Sequence, residues 1–441
     1  MQIWKGTAGT SIIVGIFALI TGLGLPANAQ TEGAATKASS KDVPVPIYKV
    51  DPFWPKPLPH KWILEGIPVM VTDKDDHIWV VSRPRDANPD ETGAASTPPR
   101  TDCCVPAPAV LEFDTDGNLL KAWGGPDYVP GWPAEGIARP GAGAEHAIVV
   151  DRQGNVWLGG NARYDGIQKF TSDGKFLWDF GHRHPKEPEG QNTGPVSENN
   201  QDTDHIVMPV ELFDLDEDAH EMYVVDQKRV VVYDMDTGAF KRGWGGHGMP
   251  LSEISNDRVP PYDWKSGATP PDLKTFVPAL HCVHIAPDGL VYVCERGSDR
   301  IQVFTKQGKF VSSFFVHPTT PSRAMECGGP GSTVYGMCGT TYNLTFSHDP
   351  DGKYVLIADG TNDKIWIHDR KTGELKGSIG DNGRMAGYFH WIDAIAIDSH
   401  GNLYTGEVDT GKRIQKFIRY GAEGCAGTGS ASVGGEAAER R

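Results

Sequence analysis

Residues 281–304 read HCVHIAPDGLVYVCERGSDRIQVF, and their pattern decides the fold. Two apolar runs rich in β-branched and aromatic residues flank Asp288-Gly289, a dipeptide suited to a tight hairpin turn. A third run, RIQVF, follows after a short polar break. The stretch opens on His281, and its second run closes at Glu295-Arg296. A hairpin of this register sets an imidazole and a guanidinium at matched ends of neighbouring strands. Either both are packing details or both face one pocket.

The unit recurs along the chain. EHAIVVDRQGNVWLGG begins at 145, VELFDLDEDAHEMYVVD at 210, NLTFSHDPDGKYVLIADG at 343 and HWIDAIAIDSHGNLYTGE at 390. A split copy runs IPVMVTDKDDHIWVVSRP from 67 and then VLEFDTDGNLLKAWGG from 110. Each copy predicts four short strands, which cannot bury both faces alone and do so by stacking radially on neighbouring copies. Six copies predict an all-β fold, a six-bladed β-propeller of four-stranded blades. The last copy stops after Phe417, one strand short, and residues 44–52 (PVPIYKVDP) precede the first. This N-terminal strand is expected to complete blade six and close the ring, removing two open sheet edges.

Insertions fall unevenly. The turns between strands one and two and between three and four are short throughout: DRQG, TSDG, PDG, KQG, KTG, DSHG. The long segments 84–109, 125–144, 182–208, 244–279 and 317–342 all join strands two and three, or one blade to the next. One face is therefore minimal and the other elaborated, and the elaborated face should carry the pocket, at the channel mouth. Its aromatics Tyr128, Trp132, Tyr262 and Trp264 would form a lid or act as spacers.

In register, His146 and His281 occupy the same place in their blades, at the channel end of a first strand. Asp393 takes that place in blade six, Pro68 in blade one and Glu211 in blade three. Two histidines and a carboxylate converging on one axis suit a divalent transition metal such as Zn²⁺. The plain alternative is imidazoles hydrogen-bonded in a water-lined channel. Arg83 and Arg296 end second strands beside the mouth, where a guanidinium can clamp a carboxylate or stabilise an oxyanion, or else pair with Glu295 or Asp299. Asp226, Asp359 and Glu407 end other second strands, as turn acceptors or as ligands. His284 is expected to pack between blades, and His182, His184, His205 and His247 to be solvated.

Composition narrows the classes. The 441 residues include 53 Gly and 33 Pro, which fits a turn-rich β fold, and 39% hydrophobic content supports a real core. A formal net charge of −15 speaks against nucleic acid as a partner. Residues 1–29 read as a signal peptide: Lys5, the apolar run SIIVGIFALITGLGL, then Ala27-Asn28-Ala29. Cleavage there leaves a periplasmic or secreted protein without a membrane span; the alternative is an uncleaved anchor. Residues 30–43 read as a flexible leader, 44–420 as the propeller and 421–441 as a disordered tail. Among seven cysteines, Cys282–Cys294 and Cys327–Cys338 are plausible bridges, whereas the vicinal Cys103-Cys104 spacing rarely closes on itself. Cys425 is left over by parity.

The unit H-x-I-x-x-D-x-x-G-x-V-Y/W-V…R-I-Q-x-F-x-x-x-G-K-F resembles the NHL repeat. HAIVVDRQGNVWLGG, LHCVHIAPDGLVYVCERGSDRIQVF and IWVVSRP together resemble the peptidyl-α-hydroxyglycine α-amidating lyase family. The resemblance spans about residues 45–420 and implies a six-bladed propeller with a zinc held by three histidines, arginines nearby and a structural Ca²⁺. By position, His146 and His281 match two zinc ligands, and Arg83 and Arg296 the arginines. Two residues depart from the pattern: Asp393 stands in place of the third histidine, and DQKRVVVY lacks the tyrosine expected after a second strand. The function implied is a metal-dependent lyase or hydrolase acting on an anionic small molecule or peptide. The alternatives are a non-catalytic NHL propeller that binds a ligand or protein partner on its loop-rich face, and a lactonase-type hydrolase.

Overall fold

In the computed structural model, the described residues are 43–420, apart from 126–144, 161–165, 182–199, 207–209, 227, 256, 258–270, 278–279 and 323–337. The signal peptide, leader and tail, the aromatics Tyr128, Trp132, Tyr262 and Trp264, His182, His184, Cys327 and Cys425 lie outside them.

Six four-stranded antiparallel sheets form the fold, five of them in simple sequential order. The innermost strands are Gly66–Thr72, Glu145–Val150, Phe213–Asp216, Leu280–Ile285, Asn343–Phe346 and Ile392–Ile397. Contacts between successive first strands link neighbouring blades around the channel. The second and third strands are the most buried, and Trp79, Trp157, Tyr223, Tyr292 and Tyr404 are fully buried between blades. The hydrophobic cores span blade boundaries, as radial stacking requires: one joins Tyr223 and Trp244 of blade three to Val283 and Phe304 of blade four. Among the described residues, no helix is long and apolar enough to cross a membrane.

In blade six the N-terminal segment Ile47–Asp51 is the outermost strand, paired antiparallel to Ile414–Tyr420, which pairs with Leu403–Glu407 and through it with Ile392–Ile397. The expected closure is thus the one observed. Tyr354 and Lys353 of blade five fasten its approach, both donating to the Val43 carbonyl.

A shared device holds the elaborated loops. At the end of a second strand a buried carboxylate faces an arginine that starts the third: Asp226–Arg229 at 2.8 Å, Glu295–Arg300 at 2.7 Å and Glu407–Arg413 at 2.6 Å. The remaining guanidinium N–H groups reach loop carbonyls. Arg229 donates to Asn200, Asp202 and His205, Arg300 to Leu273 and Thr275, and Arg413 to Gly383 and Tyr388. Asp226 and Glu407, left open between turn acceptors and ligands, are loop clamps. Removing one partner would strand a buried charge, which costs several kcal/mol.

Cys282 and Cys294 form the expected cross-strand disulfide. Cys338 is also disulfide-bonded. Cys103 and Cys104 do pair with each other, the closure that their spacing disfavours.

Removal of residues 1–51 deletes the closing strand and exposes the backbone of Ile414–Tyr420. Scanning calorimetry should show Tm lower by on the order of 5–10 °C, whereas removal of residues 1–42 alone leaves it unchanged.

Candidate functional site

His146, His281 and Asp393 each sit at a one-residue bulge. Glu145 and Ala147 pair with the consecutive residues Gly160 and Gly159, so His146 is the unpaired extra residue. His281 lies likewise between Leu280 and Cys282, and Asp393 between Ile392 and Ala394. A bulge re-aims one side chain out of the alternation of its strand, and here it does so three times, on alternate blades. Blade one has its bulge at the matching place, beside Pro68.

The three side chains meet. One ligand atom from each lies within 4.8 Å of the others, and all three residues are buried. His146 Nε2 is 3.9 Å from Asp393 Oδ2, and His281 Nε2 is 3.9 Å from Asp393 Oδ1. The imidazole centroids are 5.2 Å apart. His146 Nδ1 is 2.9 Å from the Glu211 carbonyl, and His281 Nδ1 is 2.6 Å from the Tyr342 carbonyl. A carbonyl only accepts, so both Nδ1 atoms carry the proton. In the neutral rings both Nε2 lone pairs then face the cluster, as in metal-ligating histidines steered by a carbonyl.

Two further residues belong here. The Glu211 carboxylate approaches His146 Nε2 at 3.1 Å. Tyr342 lies beside the His281 ring, centroids 5.5 Å apart, and its hydroxyl accepts from Arg296 Nη2 at 2.9 Å. Counted back from the first turn of each blade, Tyr342 occupies in blade five the place of His281 in blade four. Continuing that register by one residue before Asn343 would have found it.

Arg83 and Arg296 both act electrostatically on His146, His281 and Asp393, so all five predicted site residues share one locality. Arg83 donates through Nε to the Glu145 carbonyl, lies 4.0 Å from Asp86, and its buried Nη2 has no hydrogen-bond partner. Arg296 donates through Nε to the Cys338 carbonyl and stacks on Tyr342 at 4.0 Å. It does not take Glu295, which Arg300 and Gln302 occupy. Gly339 lies directly against the Arg296 carbonyl with φ +79°, so a side chain there would displace the arginine.

Burial sets the charge state. It pushes the His146 imidazole down to about 4, Glu211 opposing and Arg83 reinforcing. His281 is also held well below its usual range by burial, and further by His146 and Arg296. Asp393 is pushed up by burial to about 8, against the pull of Arg296 and Arg83. Its Oδ1 makes no hydrogen bond.

The donor set fits a divalent transition metal: two imidazole nitrogens and an orphaned carboxylate oxygen, with a second carboxylate adjacent. Donors around tetrahedral zinc stand about 3.3 Å apart, so small side-chain rotations would draw the 3.9 Å pairs into coordination.

Other histidines differ in fate. His284 does reach the next blade, 2.8 Å from Asn343 Oδ1, but also lines a cavity of about 340 Å³ formed by the first strands. His205 pairs with Asp202. His247, expected in solvent, packs flat on Phe310 and pairs with Asp272. A larger cavity of about 470 Å³, at the seam of blades five and six, shares no residue with the mouth.

No protein-family model matches the chain. Human NHL repeat-containing protein 3 is 25% identical over 318 residues, covering 70% of this chain and 73% of the relative, and the mouse protein matches equally. A solved structure, described as a streptogramin B lyase structure, aligns with TM-score 0.44 and 11% identity over 85% of this chain and 98% of that one. The six-bladed ring is a β-propeller, and the curated relatives that the chain is similar to are NHL repeat-containing proteins.

Asp393 and His146 give the metal-free protein a defined pH dependence. Folded Asp393 keeps a proton up to about pH 8 that the unfolded chain releases near 4, so its contribution to stability falls as pH rises through that window. His146 has the opposite effect between about 4 and 6.5, where only the unfolded imidazole is charged. Above pH 6.5 the aspartate acts unopposed by His146. Urea unfolding in chelator should lose about 1–2 kcal/mol more stability between pH 6.5 and pH 8 in the wild-type protein than in Asp393→Asn, because Glu65 and Glu407, pushed up by burial to about 7, contribute equally to both.

Proposed function

We propose that this propeller is an exported metal-dependent lyase or hydrolase, resembling the amidating lyases, that acts on a small anionic molecule or peptide at the channel mouth. One observation carries the reading: two buried imidazoles spend Nδ1 on backbone carbonyls and turn both Nε2 atoms toward one buried carboxylate.

In this reading His146, His281 and Asp393 hold a Zn²⁺ ion. A bound zinc supplies Lewis acidity or a hydroxyl at neutral pH. Burial favours neutral imidazoles, which is the ligating state. Asp393 gives up its proton when it ligates, so loading releases a proton.

The arginines bind and orient. Arg83 presents an unpartnered buried Nη2, and a carboxylate or oxyanion there would satisfy it. Arg296 is fixed by the Cys338 carbonyl and by Tyr342, so little side-chain entropy remains to be lost on binding. The Tyr342 hydroxyl accepts from Arg296 and donates to Thr361 Oγ1, whose own proton goes to the Gly339 carbonyl; burial pushes it up to about 12, so it keeps its proton, orients Arg296 and is no base near neutral pH. Buried side chains around the mouth keep bulk water scarce, which strengthens each of these interactions.

Metal analysis of the purified protein should find about one zinc-type ion per chain that His281→Ala loses. Stoichiometric metal absent from the wild-type protein would remove the catalytic reading and leave a binding platform. With an anionic substrate identified by screening, Arg83→Ala should lower kcat/KM by about 10²–10³ while metal content stays at the wild-type level.

A further inference from the structure

A second ring of residues lies deeper in the channel, toward the short-turn face. The residue three places after each mouth residue lines the cavity of about 340 Å³: Val71, Val149, Asp214, His284, Thr345 and Ala396, one from each blade. Four of the six are small or apolar. The exceptions, Asp214 and His284, stand on the neighbouring blades three and four. Their side chains keep 24% and 26% exposure, so solvent reaches both inside the ring.

The hydrogen bonds there leave one gap. Asn343 Oδ1 accepts from the Leu344 N–H, which identifies it as the oxygen, so His284 Nε2, 2.8 Å from it, is a donor. In the neutral ring Nδ1 then carries a lone pair. It lies 3.9 Å from Asp214 Oδ2, beyond hydrogen-bond reach. Asp214 itself accepts from two backbone N–H groups, those of Leu215 and Ile285, each at 2.8 Å. The other carboxylate of the lining, Glu217, is taken by the Arg152 N–H. Among the described residues, no lysine or arginine lines the cavity. Two acceptors, one of them a carboxylate, thus stand side by side without a donor between them.

A ligand that fills this gap must suit apolar walls and supply both a donor and a positive charge. A nitrogen about 2.9 Å from each acceptor spans 3.9 Å, and a primary ammonium has an N–H for both. Burial pushes Asp214 up, and an adjacent cation relieves that burden as a proton does. We propose that this lower half of the channel binds a small apolar primary amine, its ammonium between His284 Nδ1 and Asp214 Oδ2 and its hydrocarbon body against the remainder of the ring. The site uses none of the mouth residues and does not rest on a metal there.

Calorimetric titration of the full-length protein takes n-hexylamine as the probe, with hexan-1-ol and hexanoate in parallel. One saturable equivalent of hexylamine is expected, with hexanol weaker by about tenfold or more and hexanoate unable to displace the amine. Asp214→Asn should bring hexylamine down to the affinity of hexanol. Ala396→Leu should weaken both by narrowing the ring, and His281→Ala should leave both unchanged. If Asp214→Asn does not fold, His284→Leu decides the matter in its place. No saturable binding of the amine, hexanol binding as tightly as the amine, amine binding that Asp214→Asn and Ala396→Leu leave unchanged, or amine binding that His281→Ala abolishes overturns the proposal.

Discussion

Everything at the channel mouth depends on one extra residue at the head of an inner strand. Without the bulge, period-two alternation would hand the residue at that place to a blade-to-blade interface. With it, His146, His281 and Asp393 leave their ladders and turn over the axis. Blades two, four and six carry them, so the three approach from directions spread evenly around the channel. The same register supplies the orienting groups. The carbonyl that fixes His146 belongs to Glu211 and the one that fixes His281 to Tyr342, the mouth residues of the next blade in each case. Each imidazole is therefore aimed by its neighbour, and the geometry requires blade order as well as blade count.

The scaffold must keep that geometry while the elaborated face is nearly all loop. The guanidinium clamps meet this need. A buried carboxylate neutralises each arginine, and the arginine then satisfies several loop carbonyls that would otherwise be unpaired near the core. Loops tied in this way act as extensions of the blade. Arg296 shows the consequence: its neighbour Glu295 is committed to Arg300, Gln302 and the Val277 N–H, and Arg296 turns toward Tyr342 instead.

Much of this was legible in the sequence. Turn chemistry and repeat spacing specify six blades, and the missing last strand with a spare first one specifies the closure. Those are local signals, written in every copy. The register that aligns His146, His281 and Asp393 was equally visible, because it counts back from the same first-turn position in each blade. Tyr342 stands one residue before the strand Asn343–Phe346, so the repeat register reaches it while the apolar strand pattern does not. The clamps were also within reach: an acidic residue ending the second strand is followed three to six residues later by Arg229, Arg300 or Arg413, and by Lys364 in blade five. What the sequence could not supply is where long side chains go. Lys364 is spaced like the arginines yet turns to Gly380, and His284 joins an interblade hydrogen bond to a place in the cavity lining. Such choices depend on distances across blades that no single repeat encodes.

The charge arrangement at the mouth has a direction of its own. Burial drives both imidazoles to neutrality and holds a proton on Asp393. The two nearby cations are treated differently from the clamp arginines: Arg83 and Arg296 donate to the carbonyls of Glu145 and Cys338, while Asp86 stays 4.0 Å from Arg83, beyond hydrogen-bond reach. Where the fold uses arginine for structure, it pairs the guanidinium closely with a carboxylate. At the mouth Arg83 and Arg296 donate through Nε to backbone carbonyls, and carboxylates that feel their charge, Asp86, Asp393 and Asp409, are themselves pushed up by burial. In the proposed reading, a divalent ion brought to this mouth would have to displace the proton that burial holds on Asp393, so metal loading and proton release would be linked.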